Sequence, residues 1–139
     1  MDDLDQLKNW LTLYFLPSLG SKRLADFYHI ESNPINILTN SQLFPAKAKH
    51  DYALMLQDIH HVSWQKIQEN LDWINPQLEQ TILHINDERY PELLKQIDDP
   101  PILLWIKGDI SILNNTQIAV VGSRACTASG IQITQQICN

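Results

Sequence analysis

The apolar residues of this chain change their period once, after Asn75-Pro76, and that change restricts the chain to a fold that mixes helices with strands. Before it, apolar residues recur at spacings of three and four. Leu4, Leu7, Trp10, Leu11, Tyr14 and Phe15 share one face of a first amphipathic helix, whose opening acids suit the positive end of the helix dipole. Pro17 and Gly20 break the pattern, and Ser21 is the expected N-cap of a second helix carrying Leu24, Phe27 and Tyr28. Asn33-Pro34 marks a turn before the apolar stretch Ile35, Ile37, Leu38. Pro45 opens a third helical region with Tyr52, Met55, Leu56 and Ile59. Ser63 caps a fourth, with Trp64, Ile67, Leu71 and Ile74 on one stripe.

Beyond Pro76 the apolar residues come in runs. Thr81 to Ile85 reads as a short strand, followed by the turn Asn86-Asp87-Glu88. Pro91 suits the first position of one or two helical turns. Pro100-Pro101 then delivers Ile102 to Ile106, and Gln117 to Val121 follows after Gly108. Both read as strands buried on two faces, the pattern of a parallel sheet. From about Thr127 the sequence is helical again, with Ile131 and Ile137 as inner residues. A strand–helix–strand unit takes about 30 residues, more than the stretch from Ile118 to Asn139 supplies. The expectation is an α/β chain: an all-α domain over residues 1–77, then the opening of an unfinished doubly wound domain over 78–139, as in a fragment.

Composition removes several classes of function. Hydrophobic residues make up 44% of the 139, enough for a packed core. The longest apolar run falls far short of the roughly 20 residues of a membrane-spanning helix. Asp2, Asp3 and Asp5 stand where a secretory signal would be basic. Cys126 and Cys138 do not form a disulfide framework and read as reduced cytosolic thiols. With 10 Lys and Arg against 16 Asp and Glu, the net charge is −6. A nucleic-acid role must therefore rest on a local site.

One such site stands at Ile118-Ala-Val-Val-Gly-Ser-Arg124, continuing through Thr127 to Gly130. A strand feeding a glycine turn and then a helix offers free N–H groups to an anion, and an arginine fork fits a phosphate bidentately. The dinucleotide fingerprint places glycines at three fixed positions, but here Arg124 occupies the second. That disfavours NAD and FAD and favours another phosphate. The competing reading is a purely structural strand-to-helix turn. Leu16-Pro-Ser-Leu-Gly20-Ser-Lys22-Arg23 is a weaker candidate, resembling a helix-hairpin-helix turn with Gly20, Lys22 and Arg23 at a DNA backbone. Its bland alternative is an ordinary helix–helix turn with two solvated cations.

Tyr90-Pro91, Leu94, Ile97, Asp98, Pro100, Leu103, Gly108, then Val120-Val121-Gly122-Ser123-Arg124 with Thr127 and Gly130, together resemble the DNA-processing protein A family, DprA or Smf. The likeness covers roughly residues 80–130 and extends more weakly to the N-terminal helices, where the family often carries a helix-hairpin-helix or SAM-like domain. It implies a Rossmann-like domain that binds single-stranded DNA in the bacterial cytoplasm during competence and natural transformation. The implied role is to help load the RecA recombinase, with no catalytic cycle, no cofactor and no metal. By motif position, Arg124 would contact phosphate, with the backbone of Gly122 and Ser123 and the hydroxyl of Thr127 lining the same pocket. The family's dimer and recombinase surfaces would lie beyond Asn139, and some members end in a winged-helix module. Ser129 replaces an aromatic residue common in the family, and Cys126 replaces a proline.

Other constellations carry less. His60 and His61 are neighbours that a helix would point apart, and Asp98-Asp99 reads as a pre-proline turn. Of four tryptophans able to stack bases, Trp10, Trp64 and Trp105 read as core, leaving Trp73 open. Two rival functions stand beside DNA binding: an enzyme acting on a nucleotide phosphate, and a helical adaptor for another protein. Arg124 at the second glycine position makes one outcome specific. Calorimetric titration with NAD or FAD should show no binding, whereas micromolar affinity for either would move the assignment to the enzyme.

Overall fold

The structure, a computed structural model, describes residues 3–122 and 125–138. Five helices come first: α1 (Asp3–Tyr14), α2 (Ser21–Ile30), α3 (Pro34–Thr39), α4 (Ala46–Asp58) and α5 (Trp64–Trp73). Local chemistry sets most of their ends. The Ser63 hydroxyl accepts from the Lys66 N–H at 3.3 Å, as expected of an N-cap, and Asn33 caps α3 by accepting from Ile35 N–H at 3.2 Å. Ser21 does not cap α2. Gly20 holds that position in an extended conformation without a side-chain cap, because the helix begins one residue earlier than the serine signal implies.

α1 buries more than one stripe: Leu7, Trp10, Leu11, Thr12 and Leu13 are all buried, while Leu4 and Tyr14 are exposed. A helix covered on several sides needs partners from distant sequence, and α1 has them in α2, α3, α5 and the sheet. Phe27, Phe44 and Tyr52 form an aromatic knot, with centroids 4.8 Å apart for the Phe27–Phe44 and Phe44–Tyr52 pairs. The stripe expected on α5 buries Ile67 but not Trp64, which is 68% exposed at the helix start, where no element faces it.

After α5 come β1 (Gln80–His84), the single helical turn α6 (Glu92–Lys95), β2 (Leu103–Lys107) and α7 (Ala128–Cys138). Pro91 caps α6 instead of opening it. β1 and β2 pair antiparallel, with Ile82 opposite Trp105 and His84 opposite Leu103. The pairing is extended by the bonds Ile85 N–H to Ile102 O and Gly108 N–H to Glu79 O, each 2.9 Å. Gly108 has φ +121°, a conformation that side chains rarely adopt, and this permits the sharp exit from β2.

Three strand expectations are corrected. The pairing is antiparallel, not parallel. β2 is not buried on both faces: beyond Leu103 on its face, Trp105 is 38% exposed and Lys107 is exposed, while Leu104 and Ile106 on the other face are half-buried, since β1 is the one strand among the described residues that pairs with it. Gln117–Val121 forms no strand, and Val121 is 90% exposed, because no neighbouring strand among the described residues offers it a ladder. α7 buries no residue either, so Ile131 and Ile137 are exposed.

One continuous core joins the helices to the sheet, from Leu7 and Trp10 through Ile82, Leu83 and Ile85 to Tyr90 and Leu103. α1 lies across the sheet face that carries Ile82 and His84. At one end Asp3 Oδ1 sits 3.0 Å from Nε2 of the buried His84, and at the other Tyr14 meets Trp105. No helix among the described residues is long and apolar enough to cross a membrane.

Two outcomes follow from this arrangement. Hydrogen exchange should be slow for the buried amides of α1 and β1 and fast across residues 115–122 and 125–138, whose side chains are almost all exposed; strong protection there would show packing absent among the described residues. Asp87 gives the second. Burial works to raise its carboxyl pKa, but hydrogen bonds from the Arg89 side chain and backbone, with the charges of Arg89 and His84, hold it below the usual carboxylate range. A carboxylate depressed in the folded state contributes stability above its unfolded pKa of about 3.9 and loses it as pH falls towards the folded value. Urea unfolding of Asp87→Asn and parent should therefore differ most near neutrality and converge below about pH 4. A constant difference would remove this linkage.

Candidate nucleic-acid interface

The approach to the glycine turn is tethered at its start: Gln117 Nε2 donates to the carbonyls of Ile112 (2.7 Å) and Asn115 (3.2 Å). Gly122 then stands in the open, and a Cβ built on it would meet nothing within 4 Å. Ser123 and Arg124 lie outside the described residues. Thr127 is well defined by its bonds. Its hydroxyl accepts from Gly130 N–H at 3.2 Å and lies 3.2 Å from the Ser129 hydroxyl, while its carbonyl accepts from Ile131 N–H at 3.1 Å. Thr127 is thus the N-cap of α7. Gly130 fits this role, since a Cβ there would come within 3.3 Å of the capping oxygen. The Thr-x-x-Gly spacing is a helix-start device a few residues after Gly122.

The second candidate turn is better anchored. Leu16 and Leu19 are buried, and Leu19 N–H bonds to Leu16 O at 3.1 Å. Arg23 Nη1 donates to the Ser18 carbonyl at 3.0 Å, so this guanidinium helps close the turn. Lys22 is exposed. A shallow cleft of about 490 Å³ is lined by Gly20, Ser21, Lys22, Arg23 and Asp26. All five come from the start of α2, and neither Gly122 nor Thr127 lines the cleft.

Sequence reasoning missed a cleft of about 390 Å³ at the foot of α1, lined by Asp3, Gln6, His84, Asn86, Asp87, Glu88 and Arg89. Most of its charges are mutually engaged. Asp87, only 7% exposed, accepts from Arg89 N–H (2.8 Å), Nε (2.9 Å) and Nη2 (2.6 Å). Asn86 Nδ2 donates to Ser32 O at 2.7 Å, tying the turn to the start of α3. Of the cleft's charged residues only Glu88 has no ion-pair partner among the described residues, and the Asp87–Arg89 and Asp3–His84 pairs make the cleft a structural joint. Among the described residues no group of three or more His, Cys, Asp and Glu could hold a metal ion. The signal in the sequence was Asp87 three residues before Tyr90, which read only as a polar turn. Tyr90 is fully buried, and its hydroxyl donates to Pro101 O. Burial first, and Tyr28 second, raise its pKa to about 12. Pro100 and Leu103 are buried beside it, so the motif ahead of the glycine turn is mostly core.

The two tryptophans read as core on the sequence part company with Trp10. Trp10 is completely buried, but Trp64 and Trp105 are exposed, and Trp73 is half-buried against the core. Cys126 and Cys138 are both exposed and free. His61 Nδ1 lies 3.8 Å from Asp58 in a short 3₁₀ turn, and both His60 and His61 face solvent.

Comparison with known proteins places the second half of the chain. Residues 81–139 match the family model of DNA recombination-mediator protein A. The chain is 42% identical over 53 residues to "DNA processing protein DprA" of Streptococcus pneumoniae, an alignment covering 38% of this chain and 19% of that protein. It is also 42% identical over 59 residues to "DNA processing protein DprA" of Bacillus subtilis, covering 39% and 20%. The alignments thus span about a fifth of the length of these curated relatives. No solved structure gives a significant match. Residues 81–139, which begin in β1, contain the Tyr90–Gly108 core motif and run through the capped α7, are the stretch that resembles the DNA recombination-mediator protein A family.

Proposed function

We propose that the chain serves DNA processing and recombination by holding single-stranded DNA at the Gly122–Thr127 turn. The observation that carries this reading is the family match over residues 81–139, which contains the whole turn and its capped helix. The chemistry supports it. An exposed glycine ahead of a helix start leaves backbone donors accessible to phosphate, and Arg124 adds a bidentate fork in a chain of net charge −6. Ser123 supplies a further hydroxyl and backbone donor. Gly20, Lys22 and Arg23 form a weaker second contact of helix-hairpin-helix type, with Arg23 sharing its guanidinium with the Ser18 carbonyl.

In this reading residues 1–77 are a helical domain and 78–139 open a Rossmann-like one, in which Gln117–Val121 becomes a strand once parallel neighbours pair with it. Loading of the RecA recombinase and homodimerisation belong to surfaces further along such a protein. The reaction is binding, with no catalytic cycle and no cofactor, and the setting is the cytoplasm.

Arg124→Ala tests the assignment. Anisotropy of labelled oligo-dT, followed across salt concentrations, should show weaker binding and a salt slope reduced in magnitude by about 0.7, the value of one lost phosphate contact on a single strand. Unchanged affinity and slope would remove Arg124 from the site.

A further inference from the structure

We infer that the Tyr14–Trp105 step is a second contact surface for single-stranded nucleic acid, taking an unstacked base on its rings and the flanking phosphates on Lys66 and Lys107. The inference rests on the reading of this chain as a single-strand binder, but it concerns other elements: the end of α1, the outer part of β2 and one face of α5.

Two aromatic rings that could have been buried are left in solvent here. Tyr14 is 41% exposed and Trp105 38% exposed, and their centroids are 5.2 Å apart at an interplanar angle of 56°. The half-buried Phe15 supports Tyr14 edge-on at 5.3 Å. Trp105 does not swing freely. Its indole Nε1 donates to Asn70 Oδ1 at 2.7 Å, and Asn70 Nδ2 in turn donates to the Lys66 carbonyl at 2.8 Å, so α5 fixes the ring. A rigid ring loses little conformational freedom when a base stacks on it.

The charges around the step match a phosphodiester strand. Lys107 lies two residues beyond Trp105 and therefore on the same face of β2, and Lys66 lies one helical turn before Asn70 on α5. Both are exposed, and neither forms an ion pair among the described residues. Lys95 and Arg89, by contrast, are paired with Glu92 and Asp87. The carboxylates nearest in sequence form no ion pair with either lysine among the described residues: Asp109 accepts from Ser111 N–H, Glu69 from Gln65 and Asp72 from Gln68. Unneutralised ammonium groups beside a fixed, exposed indole complement a polyanion that carries π-faces. An apolar peptide would use the rings but leave both cations without a role.

The test titrates the full 139-residue chain with labelled oligo-dT and, in parallel, follows the Trp105 indole N–H by NMR. That resonance should shift on saturation. Trp105→Ala and Tyr14→Ala should each weaken binding by about 5- to 100-fold, the range for loss of one stacked base. The surface pair Lys66→Gln with Lys107→Gln, which disturbs no buried group, should lower the salt slope by about 1.4 in magnitude. A parent chain that fails to bind oligo-dT overturns this inference together with the reading it rests on. A parent that binds while the Trp105 indole stays unmoved and the lysine pair leaves the slope unchanged overturns this inference alone.

Discussion

β1 is the element on which the rest of the molecule depends, because Ile82, Leu83 and Ile85 are all buried although they alternate between its two faces. A strand in that position must be covered on both sides, and each fully buried aliphatic side chain stabilises by about 1.5–3 kcal/mol. α1 covers one face. The residues that follow each strand add Tyr90, Leu94, Ile110 and Leu113 to the same core. The helices and the sheet are therefore not separate in energy: removing either exposes the other's apolar surface.

Several polar groups at this seam are paired within it, although the buried Nδ1 of His84 has no hydrogen-bond partner among the described residues. His84 meets Asp3, Asp87 takes up Arg89, Asn86 reaches the Ser32 carbonyl, and the Tyr90 hydroxyl reaches the Pro101 carbonyl. Each bond links segments far apart in the chain or pins a turn between strands, and an unmade one would leave a buried donor or acceptor at a cost of about 1–3 kcal/mol.

The proposed phosphate site is built differently. It lies after the last core residue, on a segment whose described side chains are open to water and whose clearest local order is the Thr127 cap. Low burial suits a surface that must meet a charged polymer, since backbone donors stay accessible when no side chain packs over them. The aromatic step at Tyr14 and Trp105 is a different case, a contact fixed by the Asn70 side chain of α5.

Much of this was legible in the sequence by itself. The periodic stripes placed α1, α2, α4 and α5, Ser63 marked a cap, and the Tyr90–Gly130 spacing carried the family, because these signals are local in the chain. The structure alone decided what depends on neighbours distant in sequence. Ile102–Ile106 read as doubly buried, yet strand burial depends on how many strands and helices surround it, and only β1 pairs with β2 here. Gln117–Val121 has strand composition without a ladder to join. Trp64 and Trp105 sit on apolar patterns and are nonetheless exposed, since a stripe shows which residues share a face and not whether anything covers it. The Asp87–Arg89 pair, two residues apart, appeared as a polar turn until burial made it a joint: charge is written in the sequence, but its desolvation is set by the packing around it.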